Sequence, residues 1–319
     1  MLIQILFKVI YSPAEENRRF RIFFYRAIVF HRPSCLCRSY KHAKESRLIL
    51  TKMSINGTIE EEKVDSAGGM DMDKYEMIRE ILKKSAYTVA MCGTDMMKES
   101  GMQSMRAPEI SYKVEREYGY SPEEIFSSVF YTNRTETFFR YYKKEMLEPT
   151  LEPSEGFVAL AELERRGQLQ YSITNNVYNL PERAGCKSVL NLHGTIFDNE
   201  CPRCGKKYSM EYIRDSKKIP LCEKCQIPVR PKVMLFGEQV DNQLMTRAVN
   251  EISKADVLLL LGTNFSSGLC DQYVQYFEGS SLILINGQEH FQDEKASVVL
   301  REEVKIALPK IVWPEGKEA

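Results

Sequence analysis

The segment DVLLLLGTNFSSG, residues 256–268, is the stretch that decides the fold. Its first half is an uninterrupted apolar run, which is typical of a strand buried on both faces of a parallel sheet. Its second half is a small polar loop that begins with Gly262. In sheets of this kind, ligands bind beyond the carboxyl ends of the strands, so the loop is a candidate binding segment.

Further short apolar runs lie on both sides of this segment, and helix-length segments separate several of them. Together with residues 256–261, the predicted strands are residues 86–91, 169–174, 188–192, 281–286 and 304–308. Apolar spacing and helix-start signals predict helices over residues 72–84, 121–146 and 154–166. This alternation predicts an α/β fold, a Rossmann-like and mostly parallel sheet with helices on both faces.

Composition and charge exclude several classes of protein. Of the 319 residues, 43% are hydrophobic and 28% charged, which excludes collagen-like, low-complexity and wholly disordered chains. Residues 1–52 carry 4 Lys and 7 Arg against 3 Glu, so the rest of this chain of 44 basic and 44 acidic residues is acidic. An acidic body argues against direct nucleic-acid binding, and the apolar stretches are too short to span a membrane.

The basic segment 1–52 is left out of the predicted fold. It is either a mitochondrial-type transit peptide or a stretch that precedes the true start at Met53. We favour a start at Met53, because the segment lacks the amphipathic helix of a transit peptide. A cytoplasmic location is then expected, and a mitochondrial one if the leader is genuine.

Four of the nine cysteines form two C-x2-C pairs with 17 residues between them. Two thiolates three residues apart on a tight turn can bind one ion, and a second such turn completes a tetrahedron. An all-sulfur shell leaves no open position, so the pattern predicts one structural Zn²⁺ in a small zinc-binding domain, held by Cys201, Cys204, Cys222 and Cys225. Buried free thiols or two local disulfides are the alternatives, and the remaining cysteines are predicted to be ordinary thiols in a reducing compartment.

Small polar residues follow several of the predicted strands. Because the carboxyl ends of parallel strands meet at one edge of a sheet, these residues together predict a dinucleotide crevice, although each loop alone is compatible with an ordinary turn. The candidate cofactor-binding residues are Gly93, Thr94, Asn175, Asn176, Gly262, Thr263, Asn264 and Asn286.

His193 is the main candidate for proton transfer near neutral pH. The chain has four histidines, of which His31 and His42 lie in the basic leader and His290 lies in a polar stretch predicted as loop. A solitary histidine at a strand end is also compatible with a purely structural role.

The order of these motifs resembles that of the sirtuins, the Sir2-like NAD-dependent protein deacylases. The family's Gly-Ala-Gly-Ile-Ser to Phe-Arg segment is similar to residues 93–106, and its Thr-Gln-Asn-Ile/Val-Asp-Xaa-Leu to residues 174–180. Its His-Gly resembles residues 193–194, directly before the four cysteines. Its Arg-Pro-Xaa-Val and Phe-Gly-Glu resemble parts of residues 230–238, and its Gly-Thr-Ser resembles residues 262–264.

The likeness covers roughly residues 74–308 and implies how the site works. NAD would lie across the carboxyl edge of the sheet, and Arg106 joins the cofactor-binding residues. His193 would be the general base that activates a ribose hydroxyl, and Asn176 would position the ribose and the nucleophilic water. The substrate would be an acyl-lysine protein or peptide, paired as an added strand with Phe236, Gly237 and Glu238.

The resemblance also implies a sirtuin-type catalytic domain of two lobes over residues 53–319. The Rossmann-like lobe comprises about residues 70–106, 150–197 and 232–308. The small lobe comprises a helical cofactor-loop module, about residues 107–149, and a zinc knuckle, about residues 198–231. The zinc would hold the small lobe in place and take no part in bond breaking.

Several positions depart from the family pattern, and they cluster in the cofactor pocket. Asp95 replaces the second glycine of the phosphate loop, Tyr178 replaces an aspartate of the nicotinamide pocket, and residues 103–105 replace Pro-Asp-Phe. Asn175 and Asn264 replace Gln and Ser. A carboxylate about 4 Å from a phosphate charge costs on the order of 4 kcal/mol at an effective dielectric constant of about 20.

The expected activity is therefore that of an NAD-dependent protein-lysine deacylase that releases nicotinamide. One alternative is a catalytically weakened module that binds ADP-ribose or a protein. The other is a protein ADP-ribosyltransferase on the same scaffold.

Overall fold

The computed structural model describes residues 52–53, 59–60, 73–148 and 151–316. Predictions that concern residues 1–51 therefore lie outside the described residues. Strands β1 (Lys52–Met53) and β2 (Ile59–Glu60) form a short antiparallel pair in which Lys52 is paired with Glu60.

From residue 73 onward, helices and short strands alternate. The strands are β3 (Thr88–Cys92), β4 (Tyr171–Thr174), β5 (Val189–Asn191), β6 (Gly194–Glu200), β7 (Lys207–Tyr208), β8 (Arg230–Val233), β9 (Val257–Leu261), β10 (Ser281–Ile285) and β11 (Val298–Leu300). The α-helices are α1 (Lys74–Lys84), α2 (Thr94–Glu99), α3 (Pro108–Tyr118), α4 (Pro122–Ile125), α5 (Ser128–Asn133), α6 (Thr135–Tyr141), α7 (Glu155–Arg165), α8 (Leu180–Ala184), α9 (Met210–Asp215), α10 (Asn242–Lys254), α11 (Gly268–Tyr273) and α12 (Val304–Val312). A π-helical turn spans Tyr142–Leu147, and 3₁₀ turns span Val274–Tyr276 and Asp293–Lys295.

Six strands form one parallel sheet in the order β11-β10-β9-β3-β4-β5. Val89 and Met91 of β3 pack in the same core as residues of α10 and α11, whereas Ala90 and Cys92 pack in the core that includes α7 and α12. Both faces of the sheet are thus covered, which explains why its strands are almost entirely apolar. The predicted fold class is confirmed, and the five predicted strands of this sheet begin and end within two residues of the observed bounds.

The prediction of a strand at residues 304–308 is wrong, because this segment begins helix α12. The Glu99 carboxylate accepts hydrogen bonds from the backbone N–H groups of Val304 and Lys305, at 2.8 Å each, and so satisfies two free donors at the helix start. The strand that completes the sheet is β11, which was not predicted from the sequence. The buried residues of α12 recur at helical spacing: Val304, Ala307, Leu308, Ile311 and Val312.

The aromatic region 121–146, predicted as helical, consists of several short helices rather than one. Ser121 and Ser127 each cap a new helix, because their side-chain oxygens accept backbone N–H groups of α4 and α5 at 3.2 Å. The rings of Phe138 and Tyr142 are fully buried and stack with centroids 5.5 Å apart. The aromatic side chains therefore belong to the core of the molecule.

A second, antiparallel sheet of order β7-β6-β8 accompanies the four clustered cysteines. Cys201 and Cys204 lie in the turn between β6 and β7, and Cys222 and Cys225 lie between α9 and β8. These are the four cysteines that the sequence predicts as zinc ligands, so this small module is the candidate zinc-binding part of the fold. Among the described helices, none is long and apolar enough to cross a lipid bilayer.

Candidate functional site

The candidate site lies at the carboxyl edge of the parallel sheet. The chain moves from the central strand β3 to β4 and β5 on one side, and later places β9, β10 and β11 on the other side. The strand order therefore reverses between β3 and β9, and such a switch point is where open α/β sheets bind their ligands. We call residues 93–95, 175–179, 262–267 and 286–289, which follow β3, β4, β9 and β10, the crevice loops.

The first and third crevice loops approach each other closely at Gly93 and Gly262. The Gly93 N–H donates to the Leu261 carbonyl at 2.8 Å, and the Asp95 N–H donates to the Gly262 carbonyl at 3.0 Å. A Cβ atom at Gly93 would lie 2.4 Å from the Gly262 carbonyl oxygen, and Gly262 has φ +57°. Both positions therefore require glycine, in keeping with the predicted close approach of backbone.

Asn286, Thr263 and Asn264 hold the loops that follow β9 and β10. The buried Asn286 side chain donates from Nδ2 to the Thr263 carbonyl at 2.8 Å and so ties the two loops together. Thr263 Oγ1 lies 2.8 Å from Ser267 Oγ, and Asn264 Oδ1 accepts the Ser266 N–H at 3.0 Å. These predicted binding residues therefore also fix the conformation of the crevice loops after β9 and β10.

The side-chain amide of Asn176 makes a hydrogen bond through its oxygen but none through its nitrogen. Its Oδ1 atom accepts the Tyr178 N–H at 2.6 Å, which fixes the orientation of the amide. The residue is fully buried, and its Nδ2 atom has no hydrogen-bond partner among the described residues. Asn175 Oδ1 is likewise buried without a partner. Unsatisfied buried groups cost about 1–3 kcal/mol each, so these two atoms fit a polar ligand such as a dinucleotide.

His193 follows β5, next to the loop that carries Asn176. Leu192 donates its N–H to the Thr174 carbonyl at 2.8 Å, which keeps the two strand ends side by side. The His193 carbonyl accepts the Met234 N–H at 2.9 Å. The imidazole is half-buried, and burial lowers its pKa from the usual 6.5. The side chain is therefore neutral at pH 7, the form that can accept a proton.

Thr94 and Arg106, predicted to bind the cofactor, lie at more exposed positions. Thr94 is the exposed first residue of α2. Arg106 donates from Nε to Glu123 at 3.2 Å, and its side chain is 70% exposed. Its guanidinium carbon lies 5.8 Å from the centre of the Phe236 ring. The structure thus places Arg106 beside the predicted peptide-binding segment.

The Phe236 backbone is already paired within the chain. Its N–H donates to the Phe126 carbonyl and its carbonyl accepts the Ser128 N–H, both at 3.0 Å. Gly237 has φ +89°, and its N–H has no hydrogen-bond acceptor among the described residues. Gly237 therefore offers the backbone donor that remains for an added strand.

Glu238 holds this turn in place. Its carboxylate accepts two hydrogen bonds from Arg230 Nη2, at 2.6 and 2.8 Å, and one from the Leu235 N–H at 2.8 Å. The Arg230 guanidinium also lies 4.9 Å from the centre of the Tyr131 ring. The predicted peptide segment is therefore fixed to the helical region rather than free.

The four cysteines of the two C-x2-C pairs come together in space. Their sulfur atoms all lie within 4.8 Å of one another, and Cys204 and Cys222 are 3.7 Å apart. A tetrahedral zinc site with bonds of about 2.3 Å has sulfur atoms about 3.8 Å apart, so this cluster fits one structural Zn²⁺. A hydrogen bond from Tyr208 lowers the pKa of the Cys222 thiol, whereas burial raises the pKa of the Cys225 thiol, so the fit to a metal rests on the sulfur–sulfur distances.

The two cysteine turns are built alike. Gly205 donates its N–H to the Cys201 carbonyl at 2.9 Å, and Gln226 donates to the Cys222 carbonyl at 2.8 Å. Both residues are in the left-handed region, with φ +70° and +54°. The sequence indicated this turn at Gly205, but glutamine gives no such signal at the second turn.

Comparison with known proteins identifies the family. The model of the Sir2 family matches residues 93–267. Over 242 residues the chain is 33% identical to an NAD-dependent protein deacetylase of Clostridium acetobutylicum, covering 76% of this chain and 99% of that protein. The chain belongs to the Sir2 family. A deacetylase of Thermotoga maritima is 31% identical over 69% of this chain and 90% of its own length.

Solved Sir2 structures share the fold described above. A structure described as a Sir2 homolog–NAD complex is 29% identical, has a TM-score of 0.64, and covers 76% of this chain and 93% of its own. A structure described as Sir2–p53 peptide–NAD⁺ is 27% identical, has a TM-score of 0.63, and covers 75% of this chain and 97% of its own.

Two departures from the Sir2 pattern have partners of their own in this chain. Tyr178 is buried, and its hydroxyl lies 3.8 Å from the Met146 sulfur. The Asp95 carboxylate lies 2.6 Å from Lys98 Nζ. Lys98 was not predicted from the sequence, although an acid and a base three residues apart on a helix are a signal for such a pair.

Proposed function

We propose that this Sir2-family protein is an NAD-dependent protein deacetylase that acts on an acyl-lysine protein or peptide and releases nicotinamide. The observation that carries the proposal is that a neutral, half-buried His193 and an unpartnered Asn176 Nδ2 atom follow the neighbouring strands β5 and β4. The names of the relatives and the bound NAD and peptide of the solved relatives support it.

NAD is the cofactor, and the crevice loops would hold it. Gly93 and Gly262 leave room for close approach, and Asn175, Asn176 and the loop of Thr263 supply polar groups. When bound, NAD would supply a ribose carbon that forms a bond to the acyl oxygen as its bond to nicotinamide breaks. The chain's own residues bind, orient and move protons around that reaction.

His193 is the proposed general base. Its neutral imidazole accepts a proton from a ribose hydroxyl, and the main-chain bond to Met234 holds the residue in position. Since protonation removes the free nitrogen lone pair, activity requires the neutral form. Burial lowers the pKa of this imidazole below 6.5, so activity should persist below pH 6.5 and fall only as pH drops through the shifted value. A pH–rate profile of kcat/KM checks this.

Asn176 acts as a hydrogen-bond donor to a ligand oxygen. Because its Oδ1 is committed to the Tyr178 N–H, only Nδ2 remains for a ligand. Asn176→Asp keeps the shape and the bond to Tyr178 but removes the donor, whereas Asn176→Ala removes both. If the donor matters, both variants lose activity by a similar large factor. An active Asn176→Asp protein with an inactive Asn176→Ala protein would reduce Asn176 to a turn former.

The substrate peptide would bind along the Gly237 backbone, beside the exposed side chains of Arg106 and Phe236. Main-chain bonds to the Gly237 N–H give affinity without sequence selectivity. In this proposal the Rossmann-like lobe carries NAD, and the small lobe, with the helical module of residues 107–149 and the knuckle of residues 198–231, closes over the peptide side.

Nicotinamide release from NAD, measured with and without an acetyl-lysine peptide, is the direct test. Release that depends on the peptide, together with deacetylated peptide, supports the proposal. Modification of protein by ADP-ribose without the peptide would instead identify a transferase. Binding of ADP-ribose without turnover would identify the binding module that Asp95 and Tyr178 suggest.

We infer a reducing compartment from the cysteine chemistry and propose the cytoplasm, with mitochondria as the alternative if residues 1–52 are a genuine transit peptide. Cys92, Cys186 and Cys270 are buried free thiols, which is typical of a reducing compartment. Cell fractionation checks this, and enrichment in mitochondria would contradict it.

A further inference from the structure

The ion pair of Asp95 and Lys98 lies on the open side of α2. Met96 and Met97 of this helix are buried, whereas the side chains of Asp95 and Lys98 are 22% and 48% exposed. Lys98 Nζ lies 2.6 Å from Asp95 Oδ1. Neither residue therefore contributes to the core, and a surface pair of this kind adds little to folding stability.

The same pair lies where the strand order of the sheet reverses. Asp95 donates its N–H to the Gly262 carbonyl at 3.0 Å, so it lies at the contact between the loops after β3 and β9. A dinucleotide bound at this switch point brings its pyrophosphate close to the glycine-lined contact. An isolated carboxylate at this place would repel the two phosphate charges.

Lys98 is the cation that offsets this carboxylate. Among the described residues it is the one basic side chain paired with Asp95. Glu99, next along the helix, directs its carboxylate to the start of α12 and is engaged with the N–H groups of Val304 and Lys305. The outer side of α2 therefore carries one negative and one positive charge at hydrogen-bond distance.

We propose that Lys98 is a charge-compensating residue for the dinucleotide, which neutralises Asp95 so that the pyrophosphate meets a loop without net charge. This inference rests on the proposed function. It explains how a chain with an acid in its phosphate loop binds an anionic cofactor. Lys98 acts through Asp95 and the local field, and it takes no part in bond breaking.

Titration calorimetry with NAD and with ADP-ribose tests the inference on four proteins: the unaltered chain, Lys98→Met, Asp95→Asn and the double variant. Lys98→Met should weaken both ligands about tenfold or more, because it leaves the carboxylate alone. Asp95→Asn should tighten both, and the double variant should return to within a few fold of the unaltered chain. The loss of affinity in Lys98→Met should shrink as salt is raised from about 0.05 M to about 0.5 M, because the distance over which charges interact becomes shorter at higher ionic strength.

Lys83→Met is the matched control, because Lys83 forms the same kind of pair with Glu80 on α1, at 2.8 Å. It should leave both affinities unchanged, and Lys98→Arg should keep them. Thermal melting of each variant without ligand should be unchanged, which separates an electrostatic effect from misfolding. Equal NAD affinity in Lys98→Met and the unaltered chain overturns the role of Lys98. Failure of the unaltered chain to bind NAD at all overturns the proposed function itself.

Discussion

The cysteine knuckle, residues 198–231, and the crevice loops are two sites of opposite construction. The knuckle takes its four sulfur atoms from one stretch of 25 residues, Cys201 to Cys225, and brings them within 4.8 Å. The crevice takes its groups from loops that lie as far apart in the sequence as Gly93 and Asn286. A local site is visible in the spacing of its residues, whereas a distributed site becomes visible only when the sheet aligns its strand ends.

The comparison also concerns tolerance of change. The knuckle keeps every ligand, because one lost thiolate breaks the tetrahedron. The crevice departs from the family at Asp95 and Tyr178, and each departure has a local partner, Lys98 or Met146. A site made of many weak contacts can compensate for a substitution, and a four-ligand site cannot.

The largest expected effect is at the knuckle. Cys222→Ser should abolish stoichiometric zinc binding and unfold this module, because structural zinc contributes on the order of 10 kcal/mol of binding free energy to folding. Zinc content by atomic absorption and near-UV circular dichroism measure it. Cys186→Ser, a change at a buried thiol outside the cluster, is the control and should retain one zinc. A Cys222→Ser protein with full zinc content would disprove the assigned ligand set.

The next effect is at the crevice and concerns rate rather than folding. His193→Ala should lower kcat/KM about 10²–10⁴-fold by removing the general base, while NAD binding stays measurable. His290→Ala, at the other histidine of the described chain, should stay close to the unaltered rate. Unchanged turnover in His193→Ala would remove this residue from the mechanism.

Gly93→Ala tests the close contact that joins two crevice loops. A methyl group there meets the Gly262 carbonyl oxygen at 2.4 Å, so the loops must separate, at a cost of about 1–3 kcal/mol in unfolding free energy. NAD affinity should fall as well. Gly268→Ala is the matched control, because nothing lies within 4 Å of its Cβ position. Denaturant unfolding and NAD titration give the two readouts, and equal values for both variants would contradict the contact.

The smallest effect compares the two turns of the knuckle. Gly205→Ala should destabilise the zinc-loaded protein by about 1 kcal/mol, because an alanine must then adopt a left-handed backbone. The Cβ position at Gly205 is otherwise open, so the strain is purely conformational. Gln226→Ala should cost less, since a side chain already occupies that conformation. Thermal unfolding ranks the two, and the reverse order would show that other contacts decide these turns.

The sequence predicts most of the sheet, because strands buried on both faces are uninterrupted apolar runs. The error at residues 304–308 has a definite origin: the helix is capped by Glu99, 205 residues earlier in the chain. Periodicity within five residues cannot distinguish a strand from a helix whose first turn is stabilised by a distant carboxylate.

The candidate site was predictable as a set of residues but not as a set of hydrogen bonds. Asn176 follows a strand and is polar, which marks it as a candidate. That its Oδ1 is committed and its Nδ2 is free depends on the turn to Tyr178 and on complete burial. The internal pairing of Phe236 with Phe126 and Ser128 is a tertiary contact across more than 100 residues, and no local pattern announces it.

Glu99 connects helix α2, near the start of the parallel sheet, with helix α12, the last helix described. The helix that begins at Val304 rests its first amides on a side chain from the helix that directly follows Gly93. Removal of the chain from Val304 onward would leave the half-buried Glu99 carboxylate without the two backbone N–H groups that donate to it. The damage would then appear first at α2, which directly follows Gly93 and whose Glu99 lies 205 residues earlier in the sequence.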